Sequence, residues 1–163
     1  MRILTLLGVA MGFLVLGAGA AHEGASHLSG QNDEEAVVAA VESLFEAMRT
    51  SDSTLARSAF HPTARLGRAT EEGIAFNGVD GFIGAIGREK AEVWDEPIWD
   101  WTVSVDGRLA QMWTKYAFYL GDTFSHCGVD ALELYKSATG WQITQLVDTS
   151  REEDCWLPPG RAP

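Results

Sequence analysis

His126, Cys127 and Asp130 stand close together in one run, Phe124-Ser-His-Cys-Gly-Val-Asp-Ala-Leu-Glu-Leu-Tyr-Lys136, whose other side chains are largely apolar. Polar groups inside such a strand are either held by hydrogen bonds as part of the fold or face a cavity where a ligand meets them. A histidine titrates near neutrality, and a carboxyl among apolar neighbours has a raised pKa, so His126 and Asp130 are the candidate acid and base. Each has a bland alternative. A histidine alternating with apolar residues is as often a satisfied core group, and a buried aspartate can simply bind backbone or His126. Cys127 is a poor nucleophile candidate, because neighbouring residues of a regular strand project to opposite sides and His126 would point away from it. A disulfide with Cys155 is favoured, worth roughly 3 to 4 kcal/mol in the chain-entropy model.

The elements that must position these residues follow from pattern. From Asn32 or Asp33, either able to cap, Val37, Val41, Leu44, Phe45 and Met48 fall on one face of a helix. Ser51-Asp52-Ser53 breaks it and caps a short second helix, Thr54 to Phe60, which Pro62 ends. A third, with Phe82, Ile86 and Lys90 in helical register, is expected from Asn77-Gly78 to about Val93, weakened by Gly81, Gly84 and Gly87. Two short strands, Ala64–Arg68 and Gly73–Phe76, separate the second helix from the third. After Pro97 the chain reads as an antiparallel meander, Ile98–Asp106, Arg108–Leu120, Thr123–Lys136 and Trp141–Thr149, with turns at Asp106-Gly107, Gly121-Asp122 and Thr139-Gly140. The fold class expected is α+β, a curved sheet wrapped around about three helices.

Register at Gly121-Asp122 decides which side chains meet. A two-residue loop sets Trp113 opposite Asp130. A bulged turn instead aligns Ala110, Met112, Thr114, Tyr116 and Phe118 with Leu134, Leu132, Asp130, Gly128 and His126. The second gives one coherent apolar face and brings Tyr116 and Thr114 beside His126 and Asp130. On it the candidate catalytic residues are His126, Asp130 and Tyr116, and the candidate ligand-binding residues are His61, Trp101, Met112, Thr114 and Phe118. The six tryptophans can supply a pocket for a flat ligand, although in a sheet they more often serve core or dimer contact. His61, beside Pro62, can equally cap the second helix, and Asp148 with Arg151-Glu152-Glu153-Asp154 reads as a charged strand end and solvated tail.

Arg2, an uncharged Leu/Val/Gly/Ala run and Ala18-Gly19-Ala20 read as a secretory signal cut after Ala20, giving a periplasmic or secreted protein in which the disulfide can form. Residues 21–31 read as a flexible leader, 32–155 as one domain and 156–163 as a C-terminal tail. With 12 basic and 23 acidic side chains the chain carries a formal charge of −11, which repels phosphate backbones and anionic headgroups, so nucleic acid and stable membrane association are poor partner candidates. No phosphate-cradling glycine loop, nucleophile elbow or paired-cysteine metal site is present in the sequence.

The opening amphipathic helix, Phe60-His61-Pro62, Gly140-Trp141-Gln142-Ile143 and Ser125-His126-Cys127-Gly128-Val129-Asp130, in this order, resemble the nuclear transport factor 2-like superfamily in its SnoaL-like, lumazine-binding branch. The resemblance covers roughly Glu34 to Asp154. It implies a cone-shaped α+β barrel with a deep pocket between concave sheet and helices, often in a homodimer formed through the sheet. Catalytic relatives use a pocket carboxylate, histidine or tyrosine as acid or base and need no cofactor; others only bind or assemble, so fold sets no reaction. The expectation is an exported protein binding a small, mostly apolar organic ligand in that pocket, with acid/base chemistry by His126 and Asp130 aided by Tyr116. The alternative is a non-catalytic dimeric module whose polar residues hold the sheet together.

Overall fold

The computed structural model describes residues 20–161, with side chains from residue 32 onward; apart from Ala20, the expected signal segment lies outside the described residues. Helix α1 (Ala20–Thr50) presents Val37, Val41, Leu44, Phe45 and Met48 as one buried face, as the periodicity predicts. It begins at Ala20, well before the cap expected at Asn32 or Asp33, so the backbone of residues 21–31 continues the helix instead of forming an aperiodic leader. Helix α2 (Ser53–Ala59) starts where expected, because the Asp52 carboxylate accepts from the Thr54 and Leu55 amides at 2.9 Å each and satisfies two donors a helix start leaves open.

Strands β1 (Phe60–Thr70) and β2 (Gly73–Gly78) form the first hairpin. Helix α3 (Asp80–Ile86) stops seven residues short of the expected Val93. Gly87 closes it, and the Lys90 ammonium, expected to lie on its face, instead donates to the Ile86 carbonyl beyond the last turn. The rest is the expected meander, preceded by a two-residue strand: β3 (Trp94–Asp95), β4 (Ile98–Asp106), β5 (Leu109–Leu120), β6 (Thr123–Ser137) and β7 (Gly140–Asp148).

The strands make one mixed sheet in the order β2-β1-β7-β6-β5-β3, with β4 also on β5 and β1 running parallel to β7. The sheet curves without closing, so the expected barrel is corrected to an open sheet. Its free edges are β2 on one side and β3 with β4 on the other, since β5 spends its whole outer edge on those two short strands. The α1 face fills the concavity against Ala110, Met112, Leu132, Leu134, Trp141 and Ile143.

The β5–β6 register is the bulged one: Thr114 pairs with Asp130, Tyr116 with Gly128 and Phe118 with His126, the shift falling between Phe118 and Tyr119. On the opposite sheet face Cys127 packs with Ala117 and Tyr119 and is bonded to Cys155, 28 positions away. That bond, with paired backbone hydrogen bonds between Cys127 and Arg151 at 2.9 Å, fastens the segment after β7 to the back of the sheet. Among the described residues no helix is long and apolar enough to cross a membrane.

Candidate functional site

The register places one polar row across the sheet. Thr114 on β5 pairs with Asp130 on β6, Asp130 with Asp148 at the end of β7, and Asp148 with Arg68 on β1. Asp130 and Asp148 are therefore directly opposed on the concave face, an arrangement that like charges disfavour unless something neutralises one of them. Arg68 does so for Asp148, its Nε lying 3.1 and 3.0 Å from the two carboxylate oxygens and its Nη2 donating to Oδ2. Asp130 has no such partner. It is 2 % exposed, and its Oδ2 accepts no hydrogen bond among the described residues.

Asp130, Asp148, Arg68 and Glu96 line a cavity of about 690 Å³ between α1, α3 and the β1–β2–β7 side of the sheet. Its apolar lining is Leu44, Phe45 and Met48 from α1, Phe82 from α3, and Leu66, Ile74 and Leu146 from the sheet. Glu96 enters from the connection between β3 and β4, where Pro97 follows it. Burial first, then the charge of Asp148, pushes the Glu96 carboxyl up to about 8, with Arg68 opposing. Burial, then Glu96 and Asp148, raises Asp130 well above the usual carboxylate range, again against Arg68. These two groups can hold protons at neutral pH and exchange them with a bound molecule, the requirement for general acid or base chemistry.

Tyr116 crosses β6 over Gly128 and donates its hydroxyl to the Thr149 carbonyl at 2.8 Å, with Asp148 Oδ2 3.5 Å away. Burial and Asp148 raise its pKa, so it stays a neutral donor. His126 lies next along the same face, edge-on to the Tyr116 ring at 5.8 Å and tilted against Phe118 at 5.1 Å, with Ser125 Oγ 3.0 Å from its Nδ1. Burial, then Arg68, lowers its pKa and keeps it neutral.

Of the residues expected from sequence, Asp130 lines the cavity and Tyr116 braces its floor through Thr149. His126 and Phe118 stack behind Tyr116. Thr114 is fully buried and within 3.1 Å of the carbonyl of Trp99 at the irregularity in β4; Met112 is core. Trp101 lines a separate cleft beside Glu34, Glu35, Val38 and Glu42 of α1. His61 sits on the Thr63 hydroxyl at 2.9 Å and edge-on to Tyr135, away from the cavity and not capping α2. Asp148, expected in a solvated strand end, is instead 14 % exposed and part of the site. Sequence reasoning passed over Glu96 and Arg68; Glu96 stands immediately before a proline, where the backbone is held extended and no periodicity assigns its side chain a face.

Residues 32–147 match the model of the family described as "Putative lumazine-binding". The chain belongs to that family. Solved structures of nuclear transport factor 2-like proteins share its fold. One with a cystatin-like fold from Novosphingobium aromaticivorans is 13 % identical, covers 85 % of this chain and 94 % of its own, and superposes with a TM-score of 0.69. Another from Silicibacter pomeroyi, of unknown function, is 22 % identical over 78 % of this chain and 98 % of its own, with a TM-score of 0.56. A third, from Shewanella baltica and also of unknown function, is 16 % identical over 76 % and 97 %, with a TM-score of 0.56. No curated protein matches the chain. As a member of this family the protein is a ligand-binding nuclear transport factor 2-like domain, and the disulfide is compatible with a place outside the cytoplasm.

Proposed function

We propose that the protein is exported and binds a small organic molecule with a mostly apolar body in the cavity above Asp130, with Asp130 and Glu96 as the proton-handling groups. One observation carries this reading: a buried carboxyl with an oxygen that has no hydrogen-bond partner among the described residues lines a largely apolar cavity of about 690 Å³, a size typical of small-molecule sites. A purely structural aspartate would spend that oxygen on backbone or on a cation, as Asp148 does on Arg68. Tyr116 is a positioning residue that holds Thr149 and the end of β7, and His126 with Phe118 supports its ring. No cofactor is invoked for this chemistry. The family's description names lumazine, a compact heterocycle that such a cavity can accommodate, and lumazine is a first probe.

The second reading, a dimeric assembly module, rests on the outer sheet face. There Leu109 is 62 %, Trp113 57 % and Tyr135 40 % exposed, large apolar side chains that a second copy would cover. Non-denaturing mass spectrometry of periplasmically produced protein, incubated with lumazine and with a metabolite extract of its source, reads both. A small-molecule adduct lost in an Asp130→Asn/Glu96→Gln variant that keeps the native fold by circular dichroism is the expected result. A bare mass at every extract concentration, or an adduct the variant keeps, sinks the cavity reading. A mass of two chains is the mark of the sheet dimer.

A further inference from the structure

We propose that the ligand is an organic monocation, an amine protonated at neutral pH on an apolar body, seated with its ammonium between Asp130 and Glu96. This rests on the cavity reading and adds the charge of the occupant. The cavity lining carries four carboxyl groups, Glu72, Glu96, Asp130 and Asp148, against a single cation, Arg68. Asp148 compensates the charge of Arg68, pairing with its Nε and Nη2, so this pair offers an anionic ligand no net positive charge. Glu72 lies exposed at the rim. What remains is Asp130, buried with an acceptor oxygen unused, and Glu96 lining the same cavity, an excess of acceptors over donors that an ammonium with three N–H groups complements. The apolar walls, with the Phe45 and Phe82 rings among them, suit the remainder of such a molecule and favour an organic cation over a metal ion. Among the described residues no three His, Cys, Asp or Glu side chains converge as metal ligands do.

Without a ligand the two acids keep apart from ionisation by holding protons. The groups that face them are Asp148, Arg68 and the Tyr116 hydroxyl around Asp130, and Asp148, Arg68 and Asp95 around Glu96, Asp95 being itself paired with Arg49 and Arg161. An arriving ammonium replaces a proton, so binding releases up to one proton per molecule. The affinity for a cation then tightens as pH rises, by up to about ten-fold per unit, and levels off above the Glu96 value of about 8. A neutral ligand that accepts a hydrogen bond from a protonated acid shows the opposite slope.

The test is isothermal titration of the folded protein with cyclohexylmethylamine, its alcohol isostere cyclohexylmethanol and cyclohexanecarboxylate, from about pH 6 to about pH 9, where the amine stays protonated. Repeating it in two buffers of different ionisation enthalpy counts the protons released. The expected result is an amine bound at least about ten-fold more tightly than the alcohol, with proton release and a slope that Glu96→Gln flattens. Glu96→Gln is chosen beside Asp130→Asn because Glu96 lies in the connection between β3 and β4, outside the paired strands, and circular dichroism checks that the variant folds. Alcohol bound as tightly as amine, or affinity falling with pH, overturns the cation and leaves the cavity reading standing. Failure of all three probes also overturns the cation assignment, while the extract adduct described above still decides whether the cavity binds anything.

Discussion

Asp130 and Glu96 are stabilised as neutral acids in the fold and as anions in the unfolded chain, so they bind protons on folding. For an acid whose folded pKa is raised, stability is greatest below the unfolded value of about 4 and declines as pH climbs through the folded value, which for Glu96 is about 8. The native protein should therefore lose stability between about pH 5 and pH 9, by up to about 1.4 kcal/mol per pH unit for each such group. Urea unfolding of the native protein and of Asp130→Asn/Glu96→Gln across this range should show the slope reduced in the variant. Equal slopes in both would mean that these carboxyls titrate normally in the fold. At this scale sequence reading was uneven. Asp130 was visible because it interrupts an apolar alternation, whereas Asp148 merged with the acidic stretch after it, and Glu96 lies between elements where periodicity has nothing to say. Their meeting depends on a row across β6, β7 and β1 that joins residues 80 positions apart at Arg68 and Asp148.

Strand β6 carries the site because one of its positions has no side chain. A Cβ at Gly128 would stand 1.9 Å from the Thr149 carbonyl oxygen and 2.7 Å from the Tyr116 ring, and the first of these is backbone that cannot rotate away. Gly128→Ala should push the end of β7 off β6, break the Tyr116–Thr149 hydrogen bond and disturb the Asp148–Arg68 pair. A loss of about 3 kcal/mol, with the Tyr116 absorption band shifted, is expected in denaturant unfolding and near-ultraviolet spectra. A variant as stable as the native protein would mean that the close approach is not needed. The β5–β6 register that sets Tyr116 over this glycine was legible, since only the bulged turn sends Ala110, Met112, Leu132 and Leu134 to one face. The end of α3 was not: Phe82, Ile86 and Lys90 keep helical spacing, but Lys90 is spent on capping and glycine spacing ended the helix first.

For the whole molecule, an open sheet leaves two free edges and a back face that something must cover. The segment after β7 does part of this: Arg151 pairs with Cys127, the Trp156 ring lies under the cations of Lys115 and Arg151, and Arg161 returns to Asp95 and the Tyr119 ring. The Trp156 contacts are exposed cation–π pairs, worth little each in water, and of these ring and ion pairs only the Arg161 contacts reach buried partners, Asp95 and Tyr119. The covalent link between Cys127 and Cys155 is the larger contribution, because closing a loop whose ends lie 28 positions apart restricts the unfolded chain by roughly 3 to 4 kcal/mol. Sequence reading reached this bond from the compartment and the cysteine count, though not that it holds a segment whose far end, Arg161, binds the neighbour of Glu96. Reduction should thus lower the calorimetric melting temperature by about 10 °C, in line with the roughly 3 °C per kcal/mol expected of a domain this size. Cys127→Ser/Cys155→Ser should match the reduced protein and be insensitive to reductant. If reduction leaves the melting temperature unchanged, the tail's ion pairs and ring contacts alone hold the back of the sheet, and the disulfide has no part in stability.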